Sequence, residues 1–201
     1  MFDAALRPLI DPPLDRLAGA VDRLGIGANA ITVGGFIVGV AAAVLVALDQ
    51  HLLALAGLLA NRALDGLDGA VARRRGITDF GGYLDIVLDF LFYAGFVFAF
   101  AVADPGRNAL AAAFLILAFV GTGSSFLAFA IMAARRGIET SARGKKSLYY
   151  LGGLTEGTET IGVFVLFCLL PAWFAAIAVL FGILCCLTTV SRILEARRTL
   201  E

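Results

Sequence analysis

Residues 65–89 read D-G-L-D-G-A-V-A-R-R-R-G-I-T-D-F-G-G-Y-L-D-I-V-L-D, and both the fold and the chemistry of the chain follow from them. Asp65 and Asp68 precede a basic turn, and Asp85 and Asp89 follow it, each pair in or beside a long apolar segment. Carboxylates in such surroundings are rare, costly and functional by default. We therefore expect the reactive centre in this stretch.

The whole chain has the composition of an integral membrane protein. Of its 201 residues, 60% are hydrophobic and 16% are charged, and the mean hydropathy is +0.91. We predict an all-α integral membrane fold forming a single domain over residues 1–201, in which residues 1–27 are a cytoplasmic amphipathic helix beside the membrane. At about 20 residues per crossing, the apolar segments predict six transmembrane helices, at about 29–48, 51–73, 79–102, 109–134, 152–170 and 172–194.

The basic residues predict the orientation of this membrane domain. The chain has 16 basic and 16 acidic residues, so no net field favours a nucleic-acid partner. Lys and Arg accumulate in short cytoplasmic loops, which predicts that the N-terminus and the reactive centre face the cytoplasm. The residues placed on that side are Arg73, Arg74, Arg75, Arg135, Arg136, Arg143, Lys145, Lys146, Arg197 and Arg198.

The aspartate spacing predicts a metal site once both apolar segments are helical. Asp65 and Asp68 are three residues apart and Asp85 and Asp89 four apart, so each pair projects from one helix face. Four carboxylates that converge at low dielectric need compensating cations, and carboxylate oxygens suit Mg²⁺ or Mn²⁺. Arg62, one turn before Asp65, should neutralise the cluster from behind. A purely structural pairing with this arginine is the alternative.

Three further positions in the stretch are suited to phosphate groups. Gly69 and Gly81 lack side chains, so a ligand could lie against the helix backbone there. Arg73 offers a planar fork of donors for phosphate oxygens at the mouth of the site. Together with a divalent ion and a spare carboxylate, these groups predict phosphoryl transfer.

The stretch resembles the signature of the CDP-alcohol phosphotransferases, membrane enzymes of phospholipid synthesis that join a CDP-linked lipid to a small alcohol and release CMP. The resemblance implies that one or two Mg²⁺ or Mn²⁺ ions are held by the aspartates, and that Asp89 is the catalytic base and also touches a metal. The partners implied are CDP-diacylglycerol or a similar CDP-alcohol, a small hydroxyl acceptor and the lipid bilayer. The matching positions are the metal ligands Asp65, Asp68, Asp85 and Asp89 and the nucleotide-binding residues Gly69, Ala72, Arg73 and Gly81.

Two other segments bear on the resemblance. The family often begins its first span with Pro-Asn-x-x-Thr, and here Ala28 precedes Asn29 and Thr32. Asn29 and Thr32 either line the nucleotide pocket or, for Asn29, cap the helix. Residues 121–130 and 149–160 resemble a less characterised bacterial branch of the family, which implies a bacterial inner-membrane protein. Members of the family commonly form homodimers through transmembrane helices, so a homodimer is also implied.

The acceptor is the least determined partner. Basic residues after the fourth span suit a phosphorylated acceptor or serve only as cytoplasmic anchors. Two glutamates at the start of the fifth span suit a cationic or hydroxyl-rich acceptor if they face the site, and form a charge clamp if they face the basic loop. The candidate acceptor residues are Glu156, Glu159, Arg135, Arg143, Lys145 and Lys146.

Two other classes of protein use similar side chains. A membrane-embedded prenyltransferase also binds a metal diphosphate, but its acids come in D-x-x-x-D runs on separate loops, and its helices are more numerous. A non-enzymatic transporter would spread its acids along a path through the bilayer. Here the acids are expected at one depth beside an arginine-rich turn, which favours the transferase.

Overall fold

The computed structural model describes residues 3–137 and 155–201, which form seven α-helices and one turn of 3₁₀-helix at Pro171–Trp173. Helix α5 precedes the gap in this description, and α6 follows it. The helices are α1 (Asp3–Arg23), α2 (Ala28–Ala47), α3 (His51–Arg75), α4 (Asp79–Ala103), α5 (Pro105–Arg135), α6 (Gly157–Leu169) and α7 (Phe174–Leu200).

Four of these helices are long and apolar enough to cross a membrane: α2, α4, α5 and α7 with its preceding 3₁₀ turn. The prediction of six spans therefore holds only in part. Helix α3 has 25 residues but carries Arg62, Asp65 and Asp68 within its length. Helix α6 has 13 described residues, short of the roughly 20 that a full crossing needs.

The hairpin of α3 and α4 is set by local backbone chemistry. Helix α3 ends at Gly76, whose φ of +103° lies in a region that other residues rarely adopt. Thr78 then caps α4, its hydroxyl accepting a hydrogen bond from the Gly81 backbone N–H at 3.1 Å. Both helices then pack against α2, and this brings Asp65 of α3 close to Asp85 and Asp89 of α4.

Glycines allow the helices to pack closely around the site. A Cβ added at Gly39 of α2 would lie 2.6 Å from the ring of Phe92, and one at Gly123 of α5 would lie 2.5 Å from the ring of Phe90. Both approaches are too short for any larger residue. Helix α4 is thereby held between α2 and α5, which fixes the direction of its carboxylates.

The main hydrophobic core lies beyond the aspartates, toward the other end of α4. It contains stacked ring pairs, with centroid distances of 5.0 Å for Phe96 and Phe164 and 4.4 Å for Phe100 and Phe174. All four rings are almost fully buried. Burial of one such side chain contributes about 1.5–3 kcal/mol, so this end of the bundle is a rigid base for the polar end.

Helix α1 packs against the last turns of α3. Leu14 lies beside Gly66, where an added Cβ would come within 2.7 Å of it. The Arg75 guanidinium donates to Asp22, and Arg73 Nη2 lies 3.8 Å from Asp15 Oδ1. The N-terminal helix is therefore tied to the hairpin that carries the aspartates. Its predicted amphipathic position at the membrane surface stays a prediction.

Candidate active site

Three aspartates from α3 and α4 bring their carboxylate oxygens together. One oxygen from each of Asp65, Asp85 and Asp89 lies within 4.8 Å of the other two. The spacing of the residues explains this, because Asp85 and Asp89 are one turn apart on α4 and face the hairpin partner that carries Asp65. Carboxylates so close repel one another strongly unless a cation lies among them.

Asp68 is the most deeply buried aspartate of the four. It is 6% exposed and lines the same narrow cavity as the other three, together with Thr32 of α2. Its Oδ2 atom is buried and has no hydrogen-bond partner within residues 3–137 and 155–201. A buried oxygen of this kind is costly without a donor or a cation. The residues present therefore fit a hard divalent ion, and they do not distinguish Mg²⁺ from Mn²⁺.

A buried arginine neutralises the cluster from the deeper side. Arg62 Nη2 donates to Asp89 Oδ1 at 3.0 Å, and its Nη1 lies 3.7 Å from Asp65 Oδ2. The same Nη1 donates to the Tyr93 hydroxyl at 3.3 Å. The guanidinium also lies over the Phe92 ring, 4.9 Å from its centroid. The sequence predicted this neutralising role.

Arg62 is itself held by an adjacent amide. Asn61 Oδ1 accepts from Arg62 Nε at 2.8 Å, and Asn61 Nδ2 donates to the Gly35 carbonyl of α2, also at 2.8 Å. Asn61 is 3% exposed. The guanidinium is thus anchored through α2 as well as through α4, which leaves it little freedom to leave the aspartates.

The predicted nucleotide residues lie at the outer side of this cluster. Arg73 is half exposed, and an added Cβ at Gly69 would meet only its guanidinium, at 3.5 Å. Gly81 is more crowded, since an added Cβ would lie 3.1 Å from Asn29 Oδ1. Ala72 is partly buried on α3 between Gly69 and the arginine-rich end of the helix. The nucleotide role of these residues stays a prediction.

The structure decides between the two interpretations of Asn29 in part. Helix α2 begins at Ala28 with Gly27 in the capping position and no side-chain capping bond, so the interpretation of Asn29 as the cap is wrong. Thr32 lines the cavity of the aspartates, and its hydroxyl also donates to the Ala28 carbonyl at 3.0 Å. Asn29 therefore lies beside the predicted nucleotide residue Gly81, whereas Thr32 lies beside the aspartates.

A second, larger cavity of about 260 Å³ adjoins the cluster. Asp85 and Asp89 form one wall of it, and α5, α6 and α7 supply the others. Its polar side chains, besides the two aspartates, include Tyr93, Thr122, Thr155, Glu156, Thr160 and Arg192.

The predicted acceptor residues divide between different places. Glu156 is 5% exposed and lines the larger cavity. Glu159 instead turns back and accepts from the Glu156 backbone N–H at 3.2 Å, closing the first turn of α6. The two side chains thus form a capping box at the start of α6, and of the two only Glu156 lines the larger cavity. Their role toward an acceptor stays a prediction.

The basic candidates are not brought to the larger cavity where the structure describes them. Arg135 is exposed at the end of α5 and is absent from the residues that line either cavity. Its position suits a cytoplasmic anchor. Arg143, Lys145 and Lys146 lie outside the described residues.

Arg192 of α7 is a site residue that the sequence analysis missed. It is 6% exposed, lines the larger cavity, and donates from Nη1 to the Thr122 carbonyl at 2.9 Å. No local spacing connects it with residues 65–89. Its position inside an apolar helix was the available signal, since buried cations in such helices are rarely incidental.

Comparison with known proteins gives relatives over nearly the whole chain. The family model described as CDP-alcohol phosphatidyltransferase matches residues 26–192. Inner membrane protein YnjF of Escherichia coli is 54% identical over 201 residues, 100% of this chain and 98% of the relative. The archaetidylinositol phosphate synthase of Pyrococcus horikoshii is 30% identical over 197 residues, 98% and 97% of the two chains.

The fold is also found in crystal structures of the Mycobacterium tuberculosis phosphatidylinositol phosphate synthase PgsA1. The structure with CDP-DAG bound has a TM-score of 0.68 and 20% identity, and covers 91% of this chain and 92% of its own. The structure in complex with manganese and citrate has a TM-score of 0.68 and 22% identity, with coverage of 91% and 88%.

Proposed function

The chain belongs to the CDP-alcohol phosphatidyltransferase family, and from this premise we propose that it transfers a phosphatidyl or related phospho-alcohol group from a CDP-linked lipid to a small hydroxyl acceptor. The observation that carries the proposal is the convergence of Asp65, Asp85 and Asp89 within 4.8 Å beside a cavity large enough for a small polar molecule.

The donor side of the site is the narrow cavity between α2, α3 and α4. Asp65, Asp68 and Asp85 would hold one or two Mg²⁺ or Mn²⁺ ions, a role that the partnerless Oδ2 of Asp68 supports. Such ions, when bound, would neutralise the diphosphate of the CDP-lipid. Arg73, Gly69, Ala72 and Gly81 would seat the nucleotide at the outer side of the cluster. CDP-DAG, bound by PgsA1, is the donor to test first.

The acceptor side is the larger cavity, where Asp89 reaches both substrates. The acceptor hydroxyl would give its proton to the Asp89 carboxylate as its oxygen bonds to the phosphorus that carries the lipid. The bond between that phosphorus and the oxygen bridging to the nucleotide breaks, and CMP leaves with this oxygen. Holding both reactants in fixed positions would supply much of the acceleration.

The side chains of the larger cavity favour an acceptor with several hydrogen-bonding groups. Glu156 and Arg192 place opposite charges in its lining, and Thr155 and Thr160 add hydroxyls. Glu156 suits a cationic or hydroxyl-rich acceptor, and Arg192 suits an acidic group. Arg143, Lys145 and Lys146 stay candidates for gripping a phosphorylated acceptor.

We also propose the placement of the enzyme in the membrane. The finer topology has six crossings, with α1 on the cytoplasmic surface and residues 1–201 forming one domain of a bacterial inner-membrane protein. The arginines at the ends of α3, α5 and α7 support a cytoplasmic site, because positive charge accumulates on that side.

A homodimer is proposed as the assembly, and its test is the oligomeric state in mild detergent.

The experiment that tests the function is CMP release by the purified protein. CDP-diacylglycerol would be supplied with Mg²⁺ or Mn²⁺ and with glycerol 3-phosphate, inositol phosphate, inositol, serine or choline in turn. We expect release that needs both the metal and one acceptor, and a loss of about 10²-fold or more in Asp89→Asn. Metal-dependent CDP binding should persist in that variant. Neither CDP binding nor CMP release from the wild-type protein would refute the transferase.

A further inference from the structure

The aspartates of the cluster differ in their contacts with Arg62. Both oxygens of Asp89 have donors, since Oδ1 accepts from Arg62 Nη2 at 3.0 Å and Oδ2 lies 3.5 Å from the Tyr93 hydroxyl. Asp65 has a longer ion pair with the same arginine, at 3.7 Å. Asp68 is hydrogen-bonded by Thr32 and Gly69, and its Oδ2 has no hydrogen-bond partner among the described residues. Of the aspartates that Arg62 contacts, Asp89 therefore has the closer ion pair.

The guanidinium is built into the protein and does not depend on a substrate for its position. Its Nε donates to Asn61, its Nη1 to Tyr93 and its Nη2 to Asp89, so every nitrogen has a partner. Its side chain is 16% exposed. Because all three guanidinium nitrogens are hydrogen-bonded, the Arg62 side chain loses little further conformational freedom when it orients the Asp89 carboxylate.

The two cavities contact Asp89 from different sides. Arg62 lines the narrow cavity and is absent from the lining of the larger one, whereas Asp89 lines both. Arg62 thus contacts the Asp89 carboxylate from the narrow cavity, where the CDP-lipid is proposed to bind. The carboxylate stays accessible from the larger cavity, where the acceptor is proposed to bind. A carboxylate has about four lone-pair positions, so two contacts still leave room for a hydroxyl proton.

We propose that Arg62 is a positioning residue that orients Asp89 toward the acceptor cavity and competes with the metal ion for its carboxylate. The assignment of Asp89 as the base rests on the proposed function. The expected effect on metal binding rests only on the ion pair between Arg62 and Asp89. Arg62 acts on the reaction only through the carboxylate that it orients.

The inference predicts opposite changes in metal affinity and turnover. In Arg62→Gln the cluster loses its cation, and Asp89 becomes free to join the metal. We expect Mn²⁺ to bind at least about fivefold more tightly, because nearby charges interact strongly in partly buried sites. We expect kcat to fall about 10²-fold, the cost of a misplaced reacting group, with the KM for the CDP-lipid unchanged within about twofold.

The measurement is the Mn²⁺ dissociation constant from electron paramagnetic resonance of the free ion, without substrate, followed by steady-state CMP release. Tyr93→Phe is the matched control, since it removes one hydroxyl from the same network and leaves the charge intact. Its Mn²⁺ affinity should equal that of the wild type. A general loosening of the fold would weaken Mn²⁺ binding, so tighter binding identifies the removed charge.

Arg62→Lys separates charge from geometry and decides the case if the glutamine variant does not fold. An ammonium retains the charge, but it cannot hold Asn61, Tyr93 and Asp89 together. We expect Mn²⁺ affinity within about twofold of wild type and kcat about tenfold lower. Wild-type kcat in Arg62→Lys, or unchanged Mn²⁺ affinity in a folded Arg62→Gln, overturns the inference. A wild-type protein that releases no CMP refutes the proposed function, and the Mn²⁺ affinities then decide this inference alone.

Discussion

Replacing Asp68 with asparagine should change stability in opposite directions with and without metal. Asp68 is 6% exposed, and its Oδ2 is buried without a hydrogen-bond partner. A buried polar group in that state costs about 1–3 kcal/mol, and more if it is charged. The amide of asparagine has nearly the same shape and carries no charge. Metal-free Asp68→Asn should therefore unfold at a higher temperature than wild type, by about 2–4 °C for each kcal/mol.

Bound metal should reverse the order of the two unfolding temperatures, so that the wild type becomes the more stable protein. An ion supplied at one hundred times its dissociation constant stabilises the folded protein by about 2.7 kcal/mol. If Asp68→Asn weakens binding about 100-fold, the same concentration contributes only about 0.4 kcal/mol. Saturating Mn²⁺ should thus raise the unfolding temperature of the wild type by several degrees and barely change that of the variant.

The chain contains its own reporters for this measurement. Cys168 and Cys185 are buried and become accessible to a thiol-reactive dye on unfolding, whereas exposed Cys186 reacts in the folded state and sets the baseline. Asp79→Asn is the matched control, because Asp79 is an exposed carboxylate in the first turn of α4. Equal Mn²⁺ stabilisation of wild type and Asp68→Asn, or a metal-free variant less stable than wild type, would refute the reasoning.

Two further predictions concern the larger cavity and its walls. Glu156→Gln should change the KM for the acceptor several-fold and leave that for the CDP-lipid unaltered. Glu159→Ala should instead cost about 0.5–2 kcal/mol of stability with no change in acceptor KM, since it removes a helix-capping contact. Steady-state kinetics with each substrate varied separates the two variants, and equal kinetic effects would contradict the assignment. Gly123→Ala would place a Cβ 2.5 Å from the Phe90 ring. This overpacking should cost about 1–3 kcal/mol of stability and lower the unfolding temperature. An unfolding temperature equal to that of the wild type would show that α4 and α5 are less tightly packed than described.

The sequence predicted the part of the site that depends on local spacing. Helical periodicity placed each pair of aspartates on one helix face, and the short turn at Gly76 keeps the two helices near each other. The packing of both helices against α2 then brings the oxygens of Asp65 and Asp89 together. The neutralising role of Arg62 followed from the same periodicity. The bounds of the helices were likewise close to those of the apolar segments, since turns and charges interrupt the hydropathy there.

The other side of the site depends on contacts between distant segments. Arg192 and Thr122 are 70 residues apart and meet through the packing of α5 against α7, which no local pattern encodes. Glu156 and Glu159 form a capping box, an arrangement that a three-residue spacing allows as readily as a shared helix face. Four of the six predicted crossings match helices long and apolar enough to span a membrane, whereas α3 carries charged residues and α6 has only 13 described residues.

The two cavities differ in how they are encoded along the chain. All four aspartates come from 25 consecutive residues, whereas three separate helices build the far wall of the larger cavity. Substitutions at Thr122, Glu156 or Arg192 would therefore reshape the larger cavity without altering any of the four aspartates. On the function proposed above, such changes would alter the choice of alcohol and leave the metal-binding carboxylates intact.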